Sequence, residues 1–550
     1  MCTISDDRER LTQSGTLADL KRQYSMAEMV TVYLADGNRY FSHGIYCALI
    51  PSSNIEASLS NVSWDLHHGG GKPGAVVYHQ GDQERVQYHR YGDDYGIEPL
   101  VIDREFHGLR PDYREISEEF RLFHDLYYDQ QDNCFYKFDE AGNEHLIAKI
   151  EPNRIRIRLK ELRQFLAIKE MHLAIQFDCR ENSKYTLSKL GLNDEAEEVR
   201  NSFSCHSLAF ADFGVSDSTC SFSRLIGKRL IPPVDKEKSG IWGYAKEEPQ
   251  KYVDFIIGVD NDGNEISYTS NPNVLGNFFG ANSDAPQYLT PVHFRKQVLD
   301  KYYQQSSKYA VESGVLRCGY LWSVYIDNHL QDRVVVWLGD LGRDMPYEEQ
   351  LHWRSYNIVP VGGVSETFYK RQILAEFADS DQPEHQFCRT YSRLSAACAE
   401  SLGWQLLIPL VKGDQHYFHA IRILSDEQKA FDELALASAK ILIDSLNEKK
   451  LTEMIPKAER DSCKGGISKL ERVFKARAML EHEKHIDFLR DLQELRSSGS
   501  AHRKGRNYKK VAAKFGLNDK PLSCVLREIL VRGNNFLEYL ESVVRGGQMK

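Results

Sequence analysis

Arg496 and His502 stand six positions apart in the stretch 495–510, LRSSGSAHRKGRNYKK. A histidine near its reference pKa can take or give a proton at neutral pH. An arginine fork can hold a phosphate through two hydrogen bonds and stabilise charge growing on it. RNA carries its own nucleophile, the 2′-hydroxyl, so such a pair would need no metal to cut it. Arg503, Lys504, Arg506, Lys509 and Lys510 follow, with no acid until Asp519. They would draw a phosphate backbone in electrostatically. Tyr508 reads either as a ring that stacks a base or, by its spacing with Val511 and Phe515, as a core residue. Glu494 reads either as the carboxylate that orients Arg496 or as a surface acid.

These residues must be positioned by helices. Ile467, Leu470, Val473 and Phe474 repeat on one face. Ile486, Leu489, Leu492 and Leu495 predict a long amphipathic helix that leads into Arg496. The SSGS that follows is expected to break it, so that Arg496 and His502 can point into one cleft. Tyr508, Val511, Ala512 and Phe515 repeat at helical spacing. Val525, Ile529, Leu530, Phe536, Leu537, Leu540 and Val544 predict a last long helix, with Gly533 as a break or kink. Together they predict a bundle of three to five helices over 467–546.

The run ELRSSGSAHRKGRNY resembles the R-x(4–6)-H motif of HEPN domains, with Arg496 and His502 in its two positions. HEPN domains are small helical bundles found in bacterial toxins, antiviral effectors and RNA-guided nucleases. The resemblance implies a metal-independent endoribonuclease that leaves a 2′,3′-cyclic phosphate. It implies Arg496 and His502 as catalytic residues, no cofactor, RNA as the partner, and a homodimer or higher oligomer that joins two Arg/His pairs. Ser497 stands where the family often has Asn, His or Asp, and with Glu494 it would orient the arginine. The likeness covers about a sixth of the chain. Arg200/His206 and Arg477/His482 fit the same spacing. The first lies in strand-rich sequence, and the second reads as the interior of an uninterrupted helix.

The 550 residues exceed what one core usually fills, so two to four domains are expected. With 41% hydrophobic and 27% charged residues, the composition is that of a globular protein. No run of 18 apolar residues occurs, so no membrane span is expected. The start, MCTISDDRERLTQ, has no apolar h-region, so a cytoplasmic protein is expected. Eleven cysteines are scattered without a CxxC pair, which reads as reduced thiols rather than a zinc site or disulfide framework. Charge is unevenly spread. Residues 451–550 carry 21 Lys+Arg against 13 Asp+Glu, and the remainder carries 49 against 66. Either the basic tail meets a polyanion, or it meets the acidic body.

Upstream of the bundle the pattern predicts a strand-rich α+β or α/β body. The divisions are a polar segment 1–25, mixed regions 26–200 and 201–447, a polar linker 448–466 and the bundle 467–546. Hairpins are predicted around Asp36-Gly37-Asn38, Gly142-Asn143 and DNDGN at 260–264. RIRIRL at 154–159 predicts a half-buried strand, and WQLLIPLV and HYFHAIRIL predict two more. Ser425 and Gln428 predict the start of a capped helix closing the body near Asn447. GGGKP at 69–73 fails the phosphate-loop pattern, and DNDGN fails the calcium-loop pattern. Asp340, just past an apolar strand, and Glu349/His352, a Glu-x-x-His on a helix, are the body's own candidates.

Two functional classes are open. In one, a body that senses or restrains is fused to an RNA-cutting bundle, as in antiphage or toxin systems, with a phage or regulatory protein as trigger. In the other, the body is the enzyme or a scaffold, and the basic bundle binds nucleic acid or oligomerises.

Overall fold

Arg154, Arg156 and Arg158 alternate with Ile155 and Ile157, whose side chains are fully buried. The period of two puts one face on a core and the other towards water. This strand belongs to a ten-stranded sheet in which every pairing is antiparallel. Met29–Gly37 and Phe41–Pro51 form the hairpin expected at Asp36-Gly37-Asn38. Cys134–Phe138 and Glu144–Glu151 form the one at Gly142-Asn143. The long central strand Met171–Ser183 pairs with Phe41–Pro51 on one side and Ser221–Ile231 on the other. The Leu159–Lys169 helix lays Leu162, Phe165 and Leu166 into the same core.

The protein is described here by a computed structural model covering residues 4–12, 22–63, 66, 74–89, 96–213, 219–411, 414, 416–422, 428–499, 511, 513–517 and 519–549. The chain divides into two compact units. The first is Met1–Asp139 with Asn143–Pro249, and holds the large sheet. The second is Glu140–Gly142 with Gln250–Lys550. The expected division at 200/201 therefore falls inside the first unit: Glu195–Arg200 pairs with Ser204–Asp212 as adjacent strands of one sheet.

In the second unit, Pro291–Arg295 pairs with Arg333–Trp337 and Asn357–Ile358. Asp254–Val259 and Glu265–Thr269 form the expected hairpin, closed by Asp260, which accepts from the Asp262 and Asn264 N–H groups. His293, on the central strand, is fully buried. The Val361 N–H donates to its Nδ1 at 3.4 Å. Burial, with the nearby Arg333 charge, pushes this imidazole down to about 4. The unfolded chain, with an ordinary histidine near 6.5, then binds more protons than the folded one below that pH. Stability attributable to this neutral ring is full above pH 6.5 and is lost as pH falls towards 4, at about 1.4 kcal/mol per pH unit. Urea melts between pH 7 and 4 should have a slope smaller by that amount in His293→Asn; equal slopes would exclude the effect.

The helical part is larger than the sequence pattern predicts. Gly466–Ala476, Glu483–Gly499 and Leu522–Arg545 bury the expected apolar positions. Pro383–Ser401 and Gln428–Ala439 share that core through Phe387, Leu394, Phe431 and Leu434. The expected linker 448–466 forms a helix, Glu448–Met454, and a 3-10 turn, Lys457–Ser462. Leu451 and Ile455 drop from it into the same core, so it is part of the packing rather than a spacer. No strand forms in WQLLIPLV, where Leu407 makes only an isolated bridge to Leu446, and His416–His419 is a short helix. Ser425 lies outside the described residues. Gly533 does not break its helix, which runs from Leu522 to Arg545. It brings that helix close to Phe387, whose ring would lie 2.9 Å from a Cβ at this position.

Candidate functional site

Arg496 sits on the last turn of Glu483–Gly499. Leu489, Leu492 and Leu495 are buried and fix the helix's rotation. The guanidinium meets the end of another element: Arg496 Nη1 donates to Asp444 Oδ1 at 2.7 Å. Lys440 Nζ lies 2.9 Å from Asp444 Oδ2. Both acidic and basic groups are partly exposed. Burial pushes the Asp444 carboxyl up, but the hydrogen bonds and charges of Arg496 and Lys440 outweigh it and hold the carboxyl below its usual range.

Lys440–Asp444 is a π-helical turn that continues the Gln428–Ala439 helix. Such a turn adds one residue to the helical register and re-aims the residues beyond it, and it recurs at functional sites. Ile441, Leu442 and Ile443 anchor it in the core. Asp444 is therefore delivered to Arg496 by a locally wound segment with a buried apolar backing.

The two residues expected to orient Arg496 make the following contacts. Glu494 is two positions from Arg496 on the helix, and such positions face different sides. It lies 3.5 Å from Lys514 Nζ, which also bonds Asp491 at 2.8 Å. Ser497 Oγ donates to the Gln493 carbonyl of its own helix at 2.8 Å. The helix itself runs through Ser497 and Ser498 to Gly499, so the expected break begins later than Ser497. His502, Arg503, Lys504, Arg506, Tyr508, Lys509 and Lys510 lie outside the described residues. Lys440 and Asp444 had no signal in the sequence that tied them to Arg496.

The rival pairs are accounted for differently. Arg477/His482 does not lie inside a helix. Ala478 and Glu481 take positive φ values of 49° and 59°, and these separate Gly466–Ala476 from Glu483–Gly499. Arg477 donates to the Gln548 carbonyl at 2.7 Å, and buried His482 meets the Met479 carbonyl at 2.8 Å. Arg200 and His206 sit on paired strands, with Val199 opposite His206, and Arg200 Nε donates to Glu198 at 2.8 Å.

The body's own candidates are held by structural bonds. Buried Asp340 accepts from Tyr288 Oη at 2.9 Å and from Arg343 at 3.0 Å. Burial pushes its carboxyl above the usual range. Glu349, also buried, accepts from Lys301 Nζ at 2.7 and 2.8 Å, from Tyr302 Oη at 2.6 Å and from Tyr309 Oη at 3.1 Å. His352 Nε2 meets the Val298 carbonyl at 3.0 Å. Glu349 and His352 thus bond to different partners. Among the described residues, no group of three or more His, Cys, Asp or Glu is placed to hold a metal ion, and no helix is long and apolar enough to cross a membrane.

No protein-family model, curated protein or solved structure matches this chain.

Proposed function

We propose that the helical part of the second unit is a HEPN-like, metal-independent RNA endonuclease, with Arg496 and His502 as its catalytic pair. The observation that supports this reading most is the Asp444 contact. It fixes the direction of an arginine on the last described turn before the basic run 503–510. A guanidinium with a set direction can grip a phosphate in one orientation rather than many.

His502 takes the proton of the 2′-hydroxyl, whose oxygen attacks the adjacent phosphorus. The bond from phosphorus to the 5′-oxygen breaks, and that oxygen takes a proton from water as it leaves, while His502 returns its proton to the solvent. The product ends are a 2′,3′-cyclic phosphate and a 5′-hydroxyl. Arg496 stabilises the charge that builds on the phosphorane oxygens. Arg503, Lys504, Arg506, Lys509 and Lys510 hold the backbone, and a second copy of the chain completes the cleft. The remaining residues sense or restrain, and a phage or regulatory protein releases the activity in a toxin or antiphage system.

The test is cleavage of RNA by the full chain, with and without EDTA, beside His502→Ala and Arg496→Ala. Each variant should lose activity by on the order of 100-fold or more, and EDTA should change little. Unchanged cleavage in both variants would remove the proposal.

A further inference from the structure

Arg163 stands one turn into the Leu159–Lys169 helix, on the same face as Leu159. Its Nε donates to the Pro232 carbonyl at 3.0 Å and its Nη2 to the Pro233 carbonyl at 3.2 Å. Nη1 lies 3.9 Å from Met26 Sδ, in a contact open to solvent. A guanidinium has five N–H donors, and all three of these acceptors are neutral. The two proline carbonyls hold the fork in place without matching its charge.

Arg229 comes from the strand Ser221–Ile231. Its Nη2 donates to the Arg22 carbonyl at 2.9 Å, again at the surface. Its guanidinium lies 5.0 Å from the centre of the Tyr24 ring, and that of Arg22 lies 5.4 Å from it. Phe203 sits in the turn that joins the strands Glu195–Arg200 and Ser204–Asp212. Its N–H donates to Asn201 Oδ1 at 2.8 Å, and its carbonyl accepts from the Leu230 N–H at 2.7 Å. The backbone is therefore fixed, yet the side chain is 53% exposed.

Tyr24, Arg163, Phe203 and Arg229 line one cleft of about 410 Å³, with buried Leu159 and Ile231 among its apolar walls. That is the size of a small-ligand site. No acid is among its described walls. The acids on neighbouring segments are already paired: Glu28 with Arg22 at 2.5 Å, Glu170 with Lys236 at 2.5 Å and Asp235 with Lys238 at 3.5 Å. Two guanidiniums repel a cation, and a neutral molecule leaves the Arg163 charge unmatched. An oxyanion meets that charge and accepts from the donors of the fork. Phe203 sets the rest of the ligand, because a flat ring laid on it removes apolar surface of both from water.

We propose that this cleft binds a small aromatic oxyanion, with its phosphate or carboxylate on Arg163 and Arg229 and its ring on Phe203. The site lies wholly in the first unit and needs nothing from Arg496 or His502, so it stands or falls apart from the nuclease reading.

The experiment is calorimetric titration of the full chain at low salt. Adenosine 5′-monophosphate joins a ring to a phosphate, and indole-3-acetate joins a ring to a carboxylate. Adenosine and inorganic phosphate are the halves of the first, and indole and acetate are the halves of the second. At least one joined ligand should bind on the order of tenfold more tightly than either of its halves, and the tighter of the two identifies the anion. Arg163→Gln and Phe203→Glu should each weaken that ligand by a similar factor, and Arg496→Ala should leave it unchanged. Arg163→Gln loses two carbonyl contacts. Phe203→Glu alters an exposed turn residue and decides the matter if the first variant fails to fold. The proposal is overturned if neither joined ligand binds more tightly than its halves, or if affinity is unchanged in a folded Arg163→Gln or Phe203→Glu chain. Loss of binding in Arg496→Ala would overturn it too, by placing the ligand at the nuclease site.

Discussion

Glu349→Ala should lower the stability of the second unit by about 3–5 kcal/mol, the usual consequence of removing one partner from a buried charged network. Glu349 collects four contacts from three side chains, and two of those donors are phenols inside the core. The network extends further, since Trp353 Nε1 donates to Tyr302 Oη at 2.7 Å. Alanine would leave the Tyr302 and Tyr309 hydroxyls without their acceptor, and Lys301 without its counter-charge. Stranded polar groups, rather than lost attraction, set most of the cost. The unfolding midpoint should fall by roughly 10 °C for a unit of this size. Glu349→Gln keeps an acceptor and should lose less than Glu349→Ala. A midpoint for Glu349→Ala within a degree of the parent would show that the network contributes nothing. The same contacts tie Glu349 to Lys301, Tyr302 and Tyr309, while His352, its partner by spacing, meets the Val298 carbonyl.

If the bundle cuts RNA as proposed, Asp444→Asn should reduce that cleavage by on the order of 100-fold, the scale on which a small misplacement of a catalytic group acts. Fold stability should hardly change. Asp444, Arg496 and Lys440 all reach solvent, and ion pairs in such settings are worth about 0–1 kcal/mol. A purely structural role for Asp444 predicts the opposite pattern, a lowered midpoint with cleavage intact. Asp444→Glu, which keeps the charge, should recover part of the rate. Equal rates in parent and Asp444→Asn chains would mean that the carboxylate does not direct Arg496 in the reaction.

The elements legible in the sequence are those whose information is local. Ile155 and Ile157 alternate with arginines within five residues, and Gly142-Asn143 marks its own turn. Leu489, Leu492 and Leu495 carry their helical face with them. The illegible parts depend on distant partners. Asp444 and Arg496 are 52 positions apart, and a π-helical turn makes their meeting possible. WQLLIPLV has the apolar content of a strand, but among the described residues the only pairing it finds is the Leu407–Leu446 bridge. The polar run 448–466 resembles a linker because its two buried anchors, Leu451 and Ile455, are sparse.

The absent side chain at residue 533 has an evolutionary corollary. Because the Phe387 ring packs tightly there, the segment from Pro383 onward and the C-terminal helix must be inherited together. A crossover within 448–466 would graft a tail onto a foreign Phe387 neighbourhood and expose apolar surface on both fragments. Ancestral shuffling that preserved folding would instead keep Phe387 and Gly533 on the same side of the cut.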